Sequence, residues 1–292
     1  MKQLSLFIAL TLMSSFVVAQ TAKEIMETVD RHQRQSNDRE FTKVSLSTCK
    51  FAVKDGKPVC SEQPRKKVIE TVQKNYGNDG KDTKSISIVL EPASEKGIGM
   101  LTYSYGDDSK DTESWLYLSA LGKVKRMVSG GKEEQEPVAF FGSEFTTEDM
   151  ENGKTDEYTY TILEEGNYGG TKVWVIETVP SEQRLKKTRY SKAILWVDQE
   201  KMVVVKNQSY DKRGNLAKKM ISSNFVETKG IWKALETTMI NIKDSRLSAI
   251  VTDEIAPDVD VQEEFLTQRP LTDFAFREAN LNELRKGSIK TH

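Results

Sequence analysis

The sequence predicts a mainly β protein built on one curved antiparallel sheet or barrel of about ten strands. Three observations point there. From about residue 40 onward, apolar and polar residues alternate with a period of two, the period of a half-buried strand. The alternating runs are joined by short, turn-rich connections, which force neighbouring strands to run antiparallel. Few stretches of the 292 residues show helical spacing.

Residues 1–19 read as a secretory signal peptide. Lys2 supplies a positive start, and Leu4 to Val18 is an apolar stretch too short for a comfortable membrane span. Val17 and Ala19 place small residues where a cut before Gln20 needs them. The other reading is an uncleaved anchor. Cleavage implies export to the periplasm, with residues 20–292 as a single domain. No Cys follows the apolar run, so no lipid attachment is expected.

Thr21-Ala22-Lys23-Glu24 has the form of a capping box, and Ile25, Met26 and Val29 then recur at helical spacing. This predicts an amphipathic helix over 22–35. Phe41 to Val53, Lys66 to Asn75 and Ser85 to Glu91 read as strands. Residues 114–118 and 123–128 flank the Ser119-Ala120-Leu121-Gly122 turn, and 156–163 and 171–179 flank a second turn at 166–170. Strands over 189–198, 202–210, 216–226, 231–242 and 246–253 follow. Residues 137–150 interrupt the strands, with a capping signature at Thr146 to Asp149. Glu263 to Arg269 suggests a further short helix.

Cys49 and Cys60 flank Asp55-Gly56, a strong hairpin-turn dipeptide. Folding back there brings the two Cys nearly opposite each other, and an oxidising compartment favours a disulfide. A redox or metal role fits less well, because the spacing is not C-x-x-C and no His lies nearby.

Composition excludes several functions. Lys plus Arg is 43 and Asp plus Glu is 44, so there is no field to attract nucleic acid. Two His and two Cys cannot build a His- or Cys-rich metal centre. His32 and His292 are poorly placed for a nucleophilic triad, and no G-x-S-x-G or phosphate-binding loop is present. The expectation is a non-catalytic protein without metal or cofactor, although plentiful carboxylates leave an acid–base pair open. The basic clusters at 65–67, 123–126 and 184–189 read as solvated strand faces, or else as docking points for anionic headgroups.

Val173 to Ile176, Ala193 to Val197 and Met202 to Val205 are apolar on both faces. Such runs mean that both faces are covered, or that one faces a greasy cavity. With few helices to cover an extensive face, a deep apolar groove under the N-terminal helix and residues 137–150 is one reading. An ordinary sandwich core is the other.

The segment Trp115-Leu116-Tyr117-Leu118-Ser119-Ala120-Leu121-Gly122-Lys123-Val124-Lys125-Arg126 resembles the W-L-Y-L-P-A-L-x-K-V-K-R element of outer-membrane lipoprotein-sorting proteins, in the LolA-like superfamily. Phe141 to Met150 is similar to that branch's G-S-D-F-T-Y-E-D-L element, and Leu195 to Asp198, Tyr210 to Gly214 and Phe265 to Arg269 also fit. Ser119 replaces the usual Pro, Glu144 an Asp and Thr147 an aromatic residue. The Cys49–Cys60 hairpin is not part of the pattern. The resemblance implies an unclosed antiparallel barrel, a half-barrel, whose inner face binds acyl chains of a lipid or lipoprotein under a helical lid.

On that reading Met26, Trp115, Tyr117, Phe140, Phe141, Phe145, Trp174, Trp196 and Trp232 are the candidate groove or lid residues, with Met150 as a further adaptable contact. The resemblance further implies a monomeric periplasmic carrier served by an inner-membrane transporter of the resistance-nodulation-division kind. A lipid-sensing regulatory module of the same fold is the alternative.

Overall fold

The computed structural model describes residues 20–77, 79–107, 109–127 and 138–291. The expected signal peptide, Pro137 and His292 lie outside the described residues.

The chain begins with helix α1, Ala22–Ser36. Its capping box forms as the sequence implies: Glu24 N–H donates to Thr21 Oγ1 at 3.2 Å, and Thr21 N–H donates to Glu24 Oε2 at 2.8 Å. Ile25, Met26 and Val29 are buried along one stripe. Each such burial is worth about 1.5–3 kcal/mol, which stabilises the helix far more than its propensity does.

Strands β1 (Glu40–Lys54), β2 (Lys57–Cys60), β3 (Arg65–Tyr76), β4 (Asp82–Glu91), β5 (Gly99–Ser104), β6 (Glu113–Leu118) and β7 (Lys123–Met127) follow. After a long connection come β8 (Tyr158–Tyr168), β9 (Thr171–Pro180), the short helix α2 (Glu182–Leu185), β10 (Tyr190–Asp198) and β11 (Val203–Asp211). The chain then runs through β12 (Leu216–Thr228), β13 (Ile231–Asn241), β14 (Arg246–Ala256), α3 (Arg269–Thr272), α4 (Phe274–Lys286) and β15 (Ile289–Lys290).

All the strands join one 15-stranded sheet in the order β7-β6-β5-β4-β3-β1-β14-β13-β12-β11-β10-β9-β8, with β2 on β1 and β15 on β14. The ladders are antiparallel, as the short connections require. The architecture is therefore mainly β, an antiparallel sheet that does not close. It is not a simple meander, because β1 sits in the middle between β3 and β14.

This order places β7 and β8 at opposite edges, so the chain must travel from one edge to the other between them. The described part of that crossing, residues 138–157, packs on the same face as α1. Phe140, Phe141 and Phe145 bury against Val44, Leu46, Ile69, Val89 and Met100, and Gly153 N–H donates to Asp30 of α1 at 2.6 Å. We call this the inner face. The expected short helix here is a 3₁₀ turn at Glu148–Met150.

The outer face is covered differently. Phe265, Leu266, Leu271, Leu281 and Leu284 pack onto Phe41, Val72, Ile86, Ile88, Leu101 and Tyr117. Arg285 of α4 is bound by buried Glu70 of β3, Nε to Oε1 at 2.7 Å and Nη2 to Oε2 at 2.6 Å. The sequence had suggested only a short helix at 263–269. The structure has a 3₁₀ turn at Glu263–Leu266 followed by α3 and α4. The premise that too little helix exists to cover a face is thereby corrected: over β1 and β3–β6 the outer face has its own helical layer.

The Asp55-Gly56 turn has positive φ at both residues, 51° and 74°, as a tight hairpin turn demands. Phe51 lies opposite Cys60 in the register, and the disulfide joins Cys60 diagonally to Cys49. Residues of β2 are all exposed, so the hairpin projects from the sheet.

Candidate ligand cavity

The crossing segment is fastened at its edges by buried ion pairs. Arg184 Nη2 lies 2.8 Å from Glu151 Oε2 and 3.9 Å from Glu148 Oε1, and its Nη1 lies 3.3 Å from Glu157 Oε2. Lys218 of β12 donates to Asp149 Oδ2 at 2.6 Å and to the Glu144 carbonyl at 2.8 Å. Tyr190 OH donates to Asp149 Oδ1 at 2.9 Å. Burial pushes the Glu148 carboxyl up, opposed by a hydrogen bond from Thr188 and by the Arg184 charge. Farther along, Phe141 holds a left-handed conformation, φ 46° and ψ 38°, which a bulky residue adopts only where its surroundings enforce it. Here the enforcement is the burial of Phe140 and Phe141 against the sheet.

Between α1, the crossing segment and the inner face of β11–β14 lies a cavity of about 300 Å³. Val29, Phe145, Met150, Met202, Met220, Leu235 and Ile250 supply its apolar wall. It is also lined by Val203 and Phe225, which belong to a cluster on the outer face with Val173, Val175 and Trp196. The cavity can touch both faces because the sheet forks here. The β11–β12 ladder covers only Lys206–Tyr210 against Leu216–Ile221. Beyond it, Ser222–Thr228 keep β13 as their partner and have none in β11. Trp232 lies at this fork with Lys201 Nζ 5.2 Å from its ring centre.

A second cavity, about 110 Å³, lies over β3–β5. Thr71, Thr83, Ser85, Ser87, Thr102 and Ser104 line it, beside Met100 and Phe140. Gln73, Met150 and Asn152 border both cavities. The charged groups that face the two spaces are matched. Glu151 is held by Arg184, Asp149 by Lys218, and Lys233 by Glu40 and Asn37. Among the described residues, no group of His, Cys, Asp and Glu could hold a metal ion.

The candidate residues divide among four places. Phe145, Met150 and Trp232 border the larger cavity, and Phe140 and Met150 the smaller. Phe141 is buried beside Phe140, ring centres 4.9 Å apart. Met26 and Trp174 are packed beneath α1 with Ile176, Leu195 and Val197. Trp115, Tyr117 and Trp196 are on the outer face: Trp115 meets Tyr103 edge-on at 5.0 Å, Tyr117 meets Phe274 at 6.1 Å, and Trp196 lies under Lys206. The sheet separates Trp115 and Tyr117 from the cavities, whereas Trp196 belongs to the outer-face cluster whose Val203 and Phe225 border the larger one. Val29, Met202, Met220, Leu235 and Ile250 were not among the groove or lid candidates named from the sequence. Each is an ordinary apolar residue whose only mark is strand or helix parity, and parity identifies a face only when one face is wet.

A family model described as "Uncharacterized protein" matches residues 81–273. Among solved structures, a DUF1329 family protein from Desulfovibrio piger aligns with a TM-score of 0.72 at 24% identity, covering 87% of this chain and 100% of that one. A putative outer membrane lipoprotein-sorting protein domain from Vibrio parahaemolyticus aligns with a TM-score of 0.71 at 21% identity, covering 86% and 98%. A LolA superfamily protein from Nitrosomonas europaea gives 0.59 at 19%, covering 85% and 98%. The chain belongs to the matched family, and its fold is LolA-like. No curated protein matches the sequence. Within the LolA-like fold, the unclosed sheet, the helix on its inner face and the crossing segment that spans it are what create the two cavities.

Proposed function

We propose that this protein is a periplasmic, non-catalytic carrier that encloses the acyl portion of a lipid or lipoprotein between α1, the crossing segment and the inner face of the sheet. Residues 20–292 act as one domain, released by removal of residues 1–19. The carried lipid is passed toward the outer membrane, with an inner-membrane transporter of the resistance-nodulation-division kind as the partner at loading.

The larger cavity is the observation that supports this reading. Its volume of about 300 Å³ is at the lower end of the range for ligand sites, and apolar side chains line it together with polar ones such as Gln33, Asn37 and Asn152. Each methylene moved from water into such a space contributes about 0.8 kcal/mol, so one chain supplies ample gross binding energy. Association entropy offsets part of it. Phe145, Met150 and Trp232 are the residues proposed from the sequence that would touch the chain. Phe140 and Phe141 would seat the crossing segment.

Organic extraction of the purified protein followed by mass spectrometry tests the reading. Lipid recovered near one mole per mole of protein is the expected result. A lipid-free protein that also fails to bind a fluorescent fatty acid would refute it.

A further inference from the structure

We propose that the disulfide-closed β1–β2 hairpin is a docking element for an anionic lipid bilayer. It goes beyond the carrier reading and stands apart from it, because it concerns a projecting surface and not the cavities.

Positive charge is concentrated here. Residues 50–67 carry six Lys and Arg against two Asp and Glu, in a chain whose net charge is −1. Lys50, Lys54, Lys57, Arg65 and Lys66 are exposed, and Lys67 is bound by Glu95. Of the two acids, Asp55 forms the turn and Glu62 accepts the Lys50 backbone N–H at 3.0 Å.

Register gathers four of the cations on one side. Alternation puts Thr48, Lys50, Ala52 and Lys54 on one face of β1. Arg65 stands opposite Thr48, Val59 opposite Ala52, and Lys57 opposite Lys54. Directly opposed residues share a face, so this side presents Lys50, Lys54, Lys57 and Arg65 around Ala52 and Val59. Phe51 and the two cysteines belong to the other side, with Val53 opposite Pro58.

This arrangement works against the hairpin's own stability. Like charges directly opposed destabilise a strand pair. Val53 is 69% exposed and Val59 40%. A lone two-stranded hairpin is marginal in water. Its base is held by the disulfide and by two backbone bonds, Ser61 N–H to the Lys50 carbonyl and Phe51 N–H to the Ser245 carbonyl, each 2.9 Å. Protection of an outlying strand edge explains one lysine on β2, but not a second lysine facing it.

A bilayer accounts for all of these features. Headgroup phosphates neutralise the opposed lysines, whose aliphatic stems lie along the interface. Val53 and Val59 lie on opposite sides of the hairpin, so both are covered only if the surroundings envelop it. A lipid interface does so, whereas a protein surface covers one side. A hairpin ordered in advance by its disulfide loses little entropy on docking.

The test is flotation of the purified mature protein, residues 20–292, with vesicles of phosphatidylcholine alone or with about one third phosphatidylglycerol. Affinity for the anionic vesicles should be about tenfold higher, and the difference should vanish in about 0.5 M salt. Lys54→Glu/Lys57→Glu should abolish the preference while binding a fluorescent fatty acid as the parent does. Lys212→Glu/Arg213→Glu, the same charge change at the exposed β11–β12 turn, should keep the preference. Equal binding to both vesicles, or a preference that survives the hairpin variant or is lost equally in the turn variant, would overturn the proposal. Salt-sensitive binding to polyglutamate without binding to anionic vesicles would assign the hairpin to an acidic protein and would also overturn it.

Discussion

The guanidinium of Arg184 lies 2.8 Å from the carboxylate of Glu151, joining the α2 corner of the sheet to the segment that crosses its inner face. Arg184 is buried, and Glu148 and Glu157 also surround it.

Arg184→Met removes the cation these carboxylates share. Leaving buried charge uncompensated typically costs about 3–5 kcal/mol. Thermal unfolding at pH 7 should therefore show a large fall in Tm. The fall should shrink at pH 5, where the elevated Glu148 carboxyl takes up a proton more readily. A Tm loss that is the same at both pH values would argue against this account.

Glu40 gives a second pH-dependent prediction. Its side chain is buried, one oxygen is bound by Lys233, and the other, Oε2, has no partner. Burial raises the carboxyl pKa, and the Lys233 charge and hydrogen bond oppose the rise. A raised acid pKa in the fold means that the native state binds more protons than the unfolded one. This group's contribution to stability is thus fully present below the ordinary carboxylate pKa and declines as pH rises through the elevated value. Glu40→Gln removes the titration. The difference in Tm between variant and parent should move in the variant's favour as pH rises from 4.5 to 7. A difference independent of pH would contradict the assignment.

The fork between β11 and β12 predicts a route into the cavity. All cysteine in the described chain is in the Cys49–Cys60 disulfide, so one introduced thiol can be addressed alone. Val203→Cys places it where the larger cavity reaches the outer face. A maleimide should label it in the empty protein, and bound lipid should slow that labelling several-fold. Labelling with a bulky maleimide should in turn slow lipid uptake. Protection without any change in uptake would make the fork a wall and not an entrance.

The disulfide should matter locally more than globally. Closing a loop of 11 residues' separation can stabilise by roughly 3 kcal/mol in the chain-entropy picture. The hairpin it closes is exposed and makes few contacts with the rest of the molecule, so it can open without the sheet. Cys49→Ser/Cys60→Ser should raise amide exchange over 51–60 strongly while lowering Tm only slightly. A large Tm loss would mean that the hairpin unfolds together with the sheet.

The sequence revealed α1 clearly, because Thr21, Glu24 and the Ile25–Val29 stripe each report the same helix. It revealed most strands for a similar reason: alternation and turn residues agree. It did not reveal α4. There Leu281 and Leu284 are buried together with Arg277, and a charged residue inside the stripe blurs its period. The consequence reached the site. Without α4, the outer face over β6 looked uncovered, and Trp115 and Tyr117 were assigned to the wall of a groove. Over β1 and β3–β6 both sides of this sheet are covered, so alternation there distinguishes the sides without saying which is which. The hydroxylated residues that line the smaller cavity were hidden differently. Thr71, Ser85, Ser87 and Thr102 are scattered over more than thirty positions and converge only through register.

The central position of β1 bears on how the chain comes together. Its one neighbour, β3, follows almost at once, while the other, β14, arrives some two hundred residues later, pairing Thr48 with Ser248. The two halves of the sheet are local meanders. They become one surface only when the last long strand returns to the first, a pairing with a high loop-closure penalty. Assembly is thus gated by a pairing between segments some two hundred residues apart. A nascent chain stopped before Arg246 would leave one whole edge of β1 open, and the enclosure for a ligand would not yet exist.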